Sequence, residues 1–343
     1  MIFDFIRSVA ALAVLVGHAN AIFPQAPDPP AWPQQLGVVV FFLLSGYLIS
    51  QTLQRRLQRD DSSFTDYAID RWSRIYSGFF PALVLVVFMD YVATAGGTAG
   101  YPETLQRFSI PLFVGNLFML QAPTVMLPFG SAGPFWTVAI EFWIYMFVGL
   151  IAFACRDGLT IPKAVAIVAT GVIPVQSLTD NYGLLVAWLL GALVQQLVSL
   201  YRPKSSMIAM VIVPLLTAAS TGYLIWNIHS NLPVYTRSFY LVAAVTLYAI
   251  VVLSESIEFG AIPTAIAAWF ASWSYSLYLL HHSILMLIGW GFGGLAKPGW
   301  GIAASIVTAI AFASLTENHH KSLARYLKQL VHARWLKPRA RTL

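Results

Sequence analysis

Long runs of apolar residues, each about as long as a bilayer is thick, constrain this chain more than any other feature. They fall at 2–23, 36–54, 76–95, 134–155, 162–179, 182–200, 206–227, 236–254, 269–290 and 300–317. A helix needs roughly 20 mostly apolar residues to cross a hydrocarbon core of about 30 Å. Charged residues make up 10% of the chain and hydrophobic ones 58%, against about 25% charged in an ordinary soluble domain. Mean hydropathy is +0.71. These runs predict an all-α polytopic membrane bundle of about ten transmembrane helices. A length of 343 residues suits one such bundle and leaves no room for a sizeable soluble domain.

Loop charge predicts the topology. A shorter apolar piece at 108–121, broken by Pro111 and Gly115, reads as re-entrant or interfacial. One set of loops then carries Arg55, Arg56, Arg59, Arg71, Arg74, Arg156, Lys163, Arg202 and Lys204. The C-terminal tail adds Lys321, Arg325, Lys328, Arg334, Lys337, Arg339 and Arg341, so this side holds 16 of the 20 basic residues. The positive-inside rule places it, with both termini, in the cytoplasm. The net charge of +6 is accounted for in this way, and no nucleic-acid partner is expected. The bundle is expected over 1–320, followed by a basic amphipathic tail at 321–343 that lies on the membrane surface. The segment 63–75 is expected at the surface too. One cysteine, Cys155, excludes an intrachain disulfide.

Arg7 and His18 interrupt the first apolar run. Eleven residues separate them, which is three helical turns plus roughly 20°, or about 16 Å along the axis. They share one face. Ionisable groups at such depth are costly and mark an interior or a water-filled path. Asp4, three residues before Arg7, is positioned to pair with it.

Further polar groups recur in or near the membrane. Glu141 stands near the outer end of its run, and His281 and His282 follow Ser274-Tyr275-Ser276-Leu277-Tyr278. Glu317 closes the last run, and Ser45-Gly46-Tyr47 interrupts the second, where Gly46 permits close helix packing. No metal is expected, because adjacent histidines point about 100° apart on a helix and cannot chelate one ion. No phosphate-binding glycine loop, dinucleotide fingerprint or nucleophile elbow is present.

These motifs together resemble the membrane-bound acyltransferase-3 family, bacterial integral-membrane O-acyltransferases. The resemblance rests on Arg7-x10-His18, on Phe41-Phe42-Leu43-Leu44-Ser45-Gly46-Tyr47, on Arg71-Trp72-Ser73-Arg74-Ile75, and on Phe135-Trp136-Thr137 through Glu141. Ser274-Tyr275-Ser276-Leu277-Tyr278-Leu279-Leu280-His281 and the weaker Ser314-Leu315-Thr316-Glu317 complete it, in the family's order and across nearly the whole chain. Thr137 stands where the family usually has serine, a following proline is displaced to Pro81, and Glu317 lacks the proline that commonly follows. The chain resembles the membrane-only members, without an added hydrolase-like domain.

The resemblance implies transfer of an acyl group, acetyl above all, from cytoplasmic acyl-CoA to a hydroxyl of an extracytoplasmic or lipid-linked glycan. The setting would be the bacterial cytoplasmic (inner) membrane, crossed many times. His18 is then expected as general base, with Arg7 and Glu141 beside it in the catalytic set. Arg7, Arg55, Arg56, Arg71 and Arg74 are expected to bind polyanionic CoA, since the guanidinium fork suits phosphate. Tyr275, His281 and Trp136 are expected on the acceptor. The competing class is a transporter or flippase of a polar or lipid-linked substrate, which would also explain intramembrane charge but should show inverted repeats; none is seen. Within enzymes, the alternative is acylation of a small molecule or lipid.

Overall fold

The computed structural model describes residues 1–23, 30–96, 104, 106–200, 213–230, 232–254, 260–291 and 297–335. Arg202, Lys204, Lys337, Arg339 and Arg341 lie outside the described residues, as does the start of the run at 206–227. The described residues form α1 (Ile2–Ile22), α2 (Trp32–Leu57), α3 (Phe64–Ala95), α4 (Ile110–Leu117), α5 (Phe135–Asp157), α6 (Ile161–Gln176), α7 (Leu184–Leu200), α8 (Val213–His229), α9 (Arg237–Ser254), α10 (Ala261–Gly291), α11 (Pro298–Leu315) and α12 (His320–Trp335). A 3₁₀ turn, Glu317–His319, joins the last two. Each of the ten apolar runs overlaps one helix, and among the described residues six helical stretches are long and apolar enough to cross a membrane. The protein is an all-α, polytopic membrane bundle.

Helix α2 lies at the centre, packed on α1, α5, α7 and α9; α10 packs on α1, α3 and α11. Glycine sets the closest of these approaches. A Cβ on Gly46 would sit 1.9 Å from the Trp188 carbonyl oxygen, and one on Gly191 would sit 2.0 Å from that of Leu43. Small residues thus bring α2 and α7 together backbone to backbone, as membrane helices do without a hydrophobic drive between them. Trp188, Phe79, Phe135 and Tyr67 fill the interior around this seam with almost no exposure.

Two segments expected at the surface have these positions in the bundle. The segment 63–75 is the start of α3, continuous with the span that follows. Ser63 caps this helix by accepting the Asp66 amide at 3.1 Å and donating its hydroxyl to the Asp66 carboxylate at 2.8 Å. Nothing breaks the helix until Gly96; Pro81 interrupts one backbone bond without ending it. The tail helix α12, expected as a surface anchor, packs on α3. Lys328 Nζ lies 2.8 Å from Asp70, which also pairs with Arg56, and His332 Nε2 lies 3.0 Å from Asp66 Oδ1.

At the same end of the bundle Arg156 donates to the carbonyls of Arg59 and Ser62, so the turns after α2 and α5 form one basic face. At the opposite face, α4 has 8 residues and is about 12 Å long, too short to cross. Asn116 staples the loop that follows it. It donates to the carbonyls of Leu112 and Leu127 and accepts the Phe129 amide at 3.0 Å. Gly130, at φ +51°, sits where a Cβ would lie 2.0 Å from Asp90 Oδ2, and Asp90 accepts the Ser131 amide at 2.8 Å. This loop is held against α3 because no side chain intervenes.

Candidate active site

Two cavities meet inside the bundle. The one nearer the basic face measures about 150 Å³ and is lined by Arg7, Arg71, Arg74, Glu141, Tyr145 and Tyr275, among apolar side chains of α2. The outer one measures about 370 Å³ and holds His18, Gln34, Arg107, Trp136, Tyr182, Tyr235 and His282. Val38, Thr137 and Tyr278 line both and form the wall between them. Helix α1 runs unbroken past this wall. It delivers Arg7 to one cavity and His18 to the other, as three turns of separation require.

In the inner cavity a chain of hydrogen bonds has one consistent direction. Trp188 Nε1–H donates to Ser45 Oγ at 3.2 Å. Ser45 then donates to the Tyr145 hydroxyl at 2.8 Å, and Tyr145 donates to Glu141 Oε1 at 2.5 Å. Indole has only a donor and an ionised carboxylate only acceptors, so the two hydroxyls between them are fixed. Arg74 donates from Nη1 to Glu317 Oε1 at 2.9 Å, and its guanidinium lies 5.6 Å from the centroid of the Tyr275 ring. Glu317 is 1% exposed and also accepts the amide of Ser276 at 3.1 Å and its hydroxyl at 2.8 Å. Arg71 Nε is buried and has no hydrogen-bond partner among the described residues. Three arginines thus face one lining carboxylate, Glu141.

The outer cavity's chemistry centres on a histidine cluster. His281 is fully buried, with Nδ1 3.0 Å from the Leu277 carbonyl and Nε2 3.0 Å from His18 Nδ1. His18 Nδ1 is also 3.1 Å from the Val14 carbonyl. A carbonyl only accepts, so His281 carries its proton on Nδ1 and offers a lone pair at Nε2. His18 must then donate from Nδ1, to Val14 and His281 alike, which leaves its Nε2 unprotonated. That nitrogen makes no hydrogen bond among the described residues and is free to accept a proton. His282 turns away, 2.7 Å from the Ser131 carbonyl. Among the described residues no group of three or more His, Cys, Asp or Glu side chains is gathered for a metal.

Several residues lie elsewhere than their spacing predicts. Asp4 forms no salt bridge with Arg7. Arg7 turns to the inner cavity instead. Glu141 sits two turns into α5 and lines the inner cavity, so it does not orient His18. Tyr275 lines the inner cavity too, with its hydroxyl on the Ile75 carbonyl at 3.1 Å, so it is not on the outer side. His281 lines neither cavity and reaches the site through His18. Arg55 is exposed and Arg56 is engaged by Asp70; neither lines either of these two cavities. Trp136 does line the outer cavity.

Gln34, Arg107, Tyr182 and Tyr235 were not foreseen. They stand at helix starts and in loops, where no periodicity marks them. Tyr278 and Thr137, which touch at 2.5 Å in the wall, did lie inside recognisable motifs.

A family model described as an acyltransferase domain matches residues 2–317. An O-acetyl transferase of Shigella phage Sf6 is 30% identical over 166 residues, covering 46% of this chain and 47% of that protein. Nodulation protein 10 of Rhizobium leguminosarum bv. viciae is 25% identical over 158 residues, 42% of each. The chain spans about half the length of these curated relatives. No solved structure gives a significant match. The family match takes in both cavities and every residue of the histidine cluster, and this chain belongs to the acyltransferase-3 family.

Proposed function

We propose that this protein is a membrane O-acyltransferase. It takes an acyl group, acetyl in the first instance, from acyl-CoA at the basic face and gives it to a hydroxyl of a glycan entering from the opposite side. The observation that carries this reading is the meeting of two unlike cavities at one thin wall: a cationic one below Val38, Thr137 and Tyr278, and a histidine-bearing one above.

The residues present fit an acyl-CoA. Arg71 Nε is a buried donor lacking an acceptor among the described residues, and a phosphate or thioester oxygen would supply one. A cavity of about 150 Å³ is small against the 300–1,000 Å³ of common ligand sites. It suits the acylated end of the pantetheine arm, with the nucleotide outside among the basic loops. By the positive-inside rule that side is the cytoplasm, and the family resemblance suggests a bacterial inner membrane as the setting.

His18 Nε2 then acts as general base. A sugar hydroxyl attacks the thioester carbonyl carbon as its proton passes to Nε2, giving a tetrahedral oxyanion. The carbon–sulfur bond breaks, the ester remains on the sugar, and the imidazolium returns the proton to the leaving thiolate. General-base assistance of this kind contributes about 10²–10⁴ in rate. His281 acts as a positioning residue, holding His18 in the required tautomer.

The test is sided transfer. Protein reconstituted in vesicles, with labelled acetyl-CoA on one side and glycan on the other, should transfer label in one arrangement and not in the reverse. Equal transfer in both arrangements would contradict the reading.

A further inference from the structure

The outer cavity carries more chemistry than a general base needs. The Trp136 and Tyr182 rings lie 4.6 Å apart at their centroids, and Tyr235 meets Tyr182 edge-on at 5.1 Å. The backbone that carries Tyr182 is tied down. Asp180 Oδ1 accepts the amides of Tyr182 and Gly183 at 3.0 and 2.8 Å, and the Tyr240 hydroxyl donates to the Tyr182 carbonyl. An aromatic surface of this kind, apolar on its faces and carrying hydroxyls at its edges, suits the faces of a pyranose ring.

Arg107 stands in the same wall. Its backbone is tied down, the carbonyl accepting the Gly130 amide at 3.1 Å. Among the described residues its guanidinium makes no salt bridge or hydrogen bond, and none of the described residues lining the cavity is an Asp or Glu. The described lining therefore presents a guanidinium without a carboxylate partner, whereas Arg74 in the inner cavity has its own carboxylate in Glu317. A neutral sugar would leave that guanidinium facing hydroxyls; a carboxylate or phosphate would take it up bidentately.

We propose that the outer cavity binds an acidic saccharide, its pyranose ring seated on Trp136 and Tyr182 and its anionic substituent held by Arg107. This rests on the reading of that cavity as the acceptor site. The anion has two sources, the carboxylate of a sugar acid or the phosphate of a lipid-linked sugar.

The experiment is equilibrium dialysis of the full chain in detergent against three labelled ligands: a neutral methyl hexopyranoside, the matching methyl uronide and the matching hexose 1-phosphate. Wild type, Arg107→Gln and Arg107→Lys are compared, with acetyl transfer from acetyl-CoA measured in parallel. Wild type should bind at least one anionic sugar about tenfold or more tightly than the neutral one, the scale of a charge-assisted hydrogen bond. Arg107→Gln should abolish that preference without weakening the neutral sugar, and Arg107→Lys should retain part of it. The tighter of the two anionic ligands identifies the source. Equal binding of neutral and anionic sugars by wild type, or an equal loss for all three in Arg107→Gln, would overturn the inference. Selective binding with no acetyl transfer would uphold the anionic subsite and overturn the transfer reading instead. Transfer that is as efficient to the neutral sugar as to the acidic ones would do the reverse.

Discussion

His281 Nε2 lies 3.0 Å from His18 Nδ1, across 263 residues of sequence, and its own Nδ1 is occupied by the Leu277 carbonyl 3.0 Å away. In the proposed reaction the pair would divide the labour of a catalytic base between a residue that reaches the cavity and a buried one that sets the first one's tautomer. Replacing the orienting member should therefore change turnover and spare donor binding. His281→Ala is expected to lower kcat by about 10²-fold, within the range assigned to general-base assistance, with KM for acetyl-CoA unchanged. Steady-state kinetics on matched amounts of folded protein check this. A rise in KM without a fall in kcat would make His281 a packing residue.

The arginines divide by location. Arg7 and Arg71 line the inner cavity, whereas Arg55 is exposed at the end of α2. Arg71→Ala and Arg7→Ala should each raise KM for acetyl-CoA about tenfold or more, the worth of a charge-assisted hydrogen bond. Arg55→Ala should leave it within twofold. A large effect at Arg55 would extend the donor site to the loop and weaken the cavity assignment.

Arg74 and Glu317 form a pair, its carboxylate buried and its guanidinium part-exposed, that joins α3 to the turn after α11, with Ser276 of α10 on the second carboxylate oxygen. Removing one partner of a fully buried pair costs about 3–5 kcal/mol, and of a part-exposed one less. Glu317→Ala should therefore lower the thermal transition in detergent markedly. The double variant Arg74→Ala with Glu317→Ala should be less damaged than the two losses added together. Additive losses would show that the two side chains act independently.

Glycines on either side of a packed seam should behave oppositely. A methyl on Gly46 would meet the Trp188 carbonyl at 1.9 Å, whereas one on Gly222 in α8 has nothing within 4 Å. Gly46→Ala should destabilise by at least about 1–3 kcal/mol through overpacking. Gly222→Ala should be neutral or stabilise by about 0.5–1 kcal/mol through helix propensity. Thermal scans of both variants decide it, and equal behaviour would contradict the close α2–α7 approach.

Much of this architecture is visible in the sequence because lipid leaves few choices. Each apolar run had to be a helix, and helical period alone put Arg7 and His18 on one face. The site's composition was harder to read. The spacing of Asp4 and Arg7 permits a pair, but local spacing cannot report that Arg7 turns into a cavity. Glu141 and His18 stand in motifs of equal strength, and only packing separates them into different cavities. Arg107, Tyr182 and Tyr235 come from loops and helix starts, where a side chain's neighbours depend on tertiary contacts that no period encodes. The Arg74–Glu317 bond joins residues 243 apart, beyond any local pattern.

The central claim is that His18 accepts the proton of the acceptor hydroxyl. The most direct measurement is transfer of labelled acetyl from acetyl-CoA into cell-envelope glycan, comparing wild type with His18→Ala at matched expression and with acetyl-CoA binding measured in both. The account predicts label with wild type, a loss of at least about 10²-fold with His18→Ala, and unchanged acetyl-CoA binding. Label persisting at the wild-type rate in His18→Ala would contradict it.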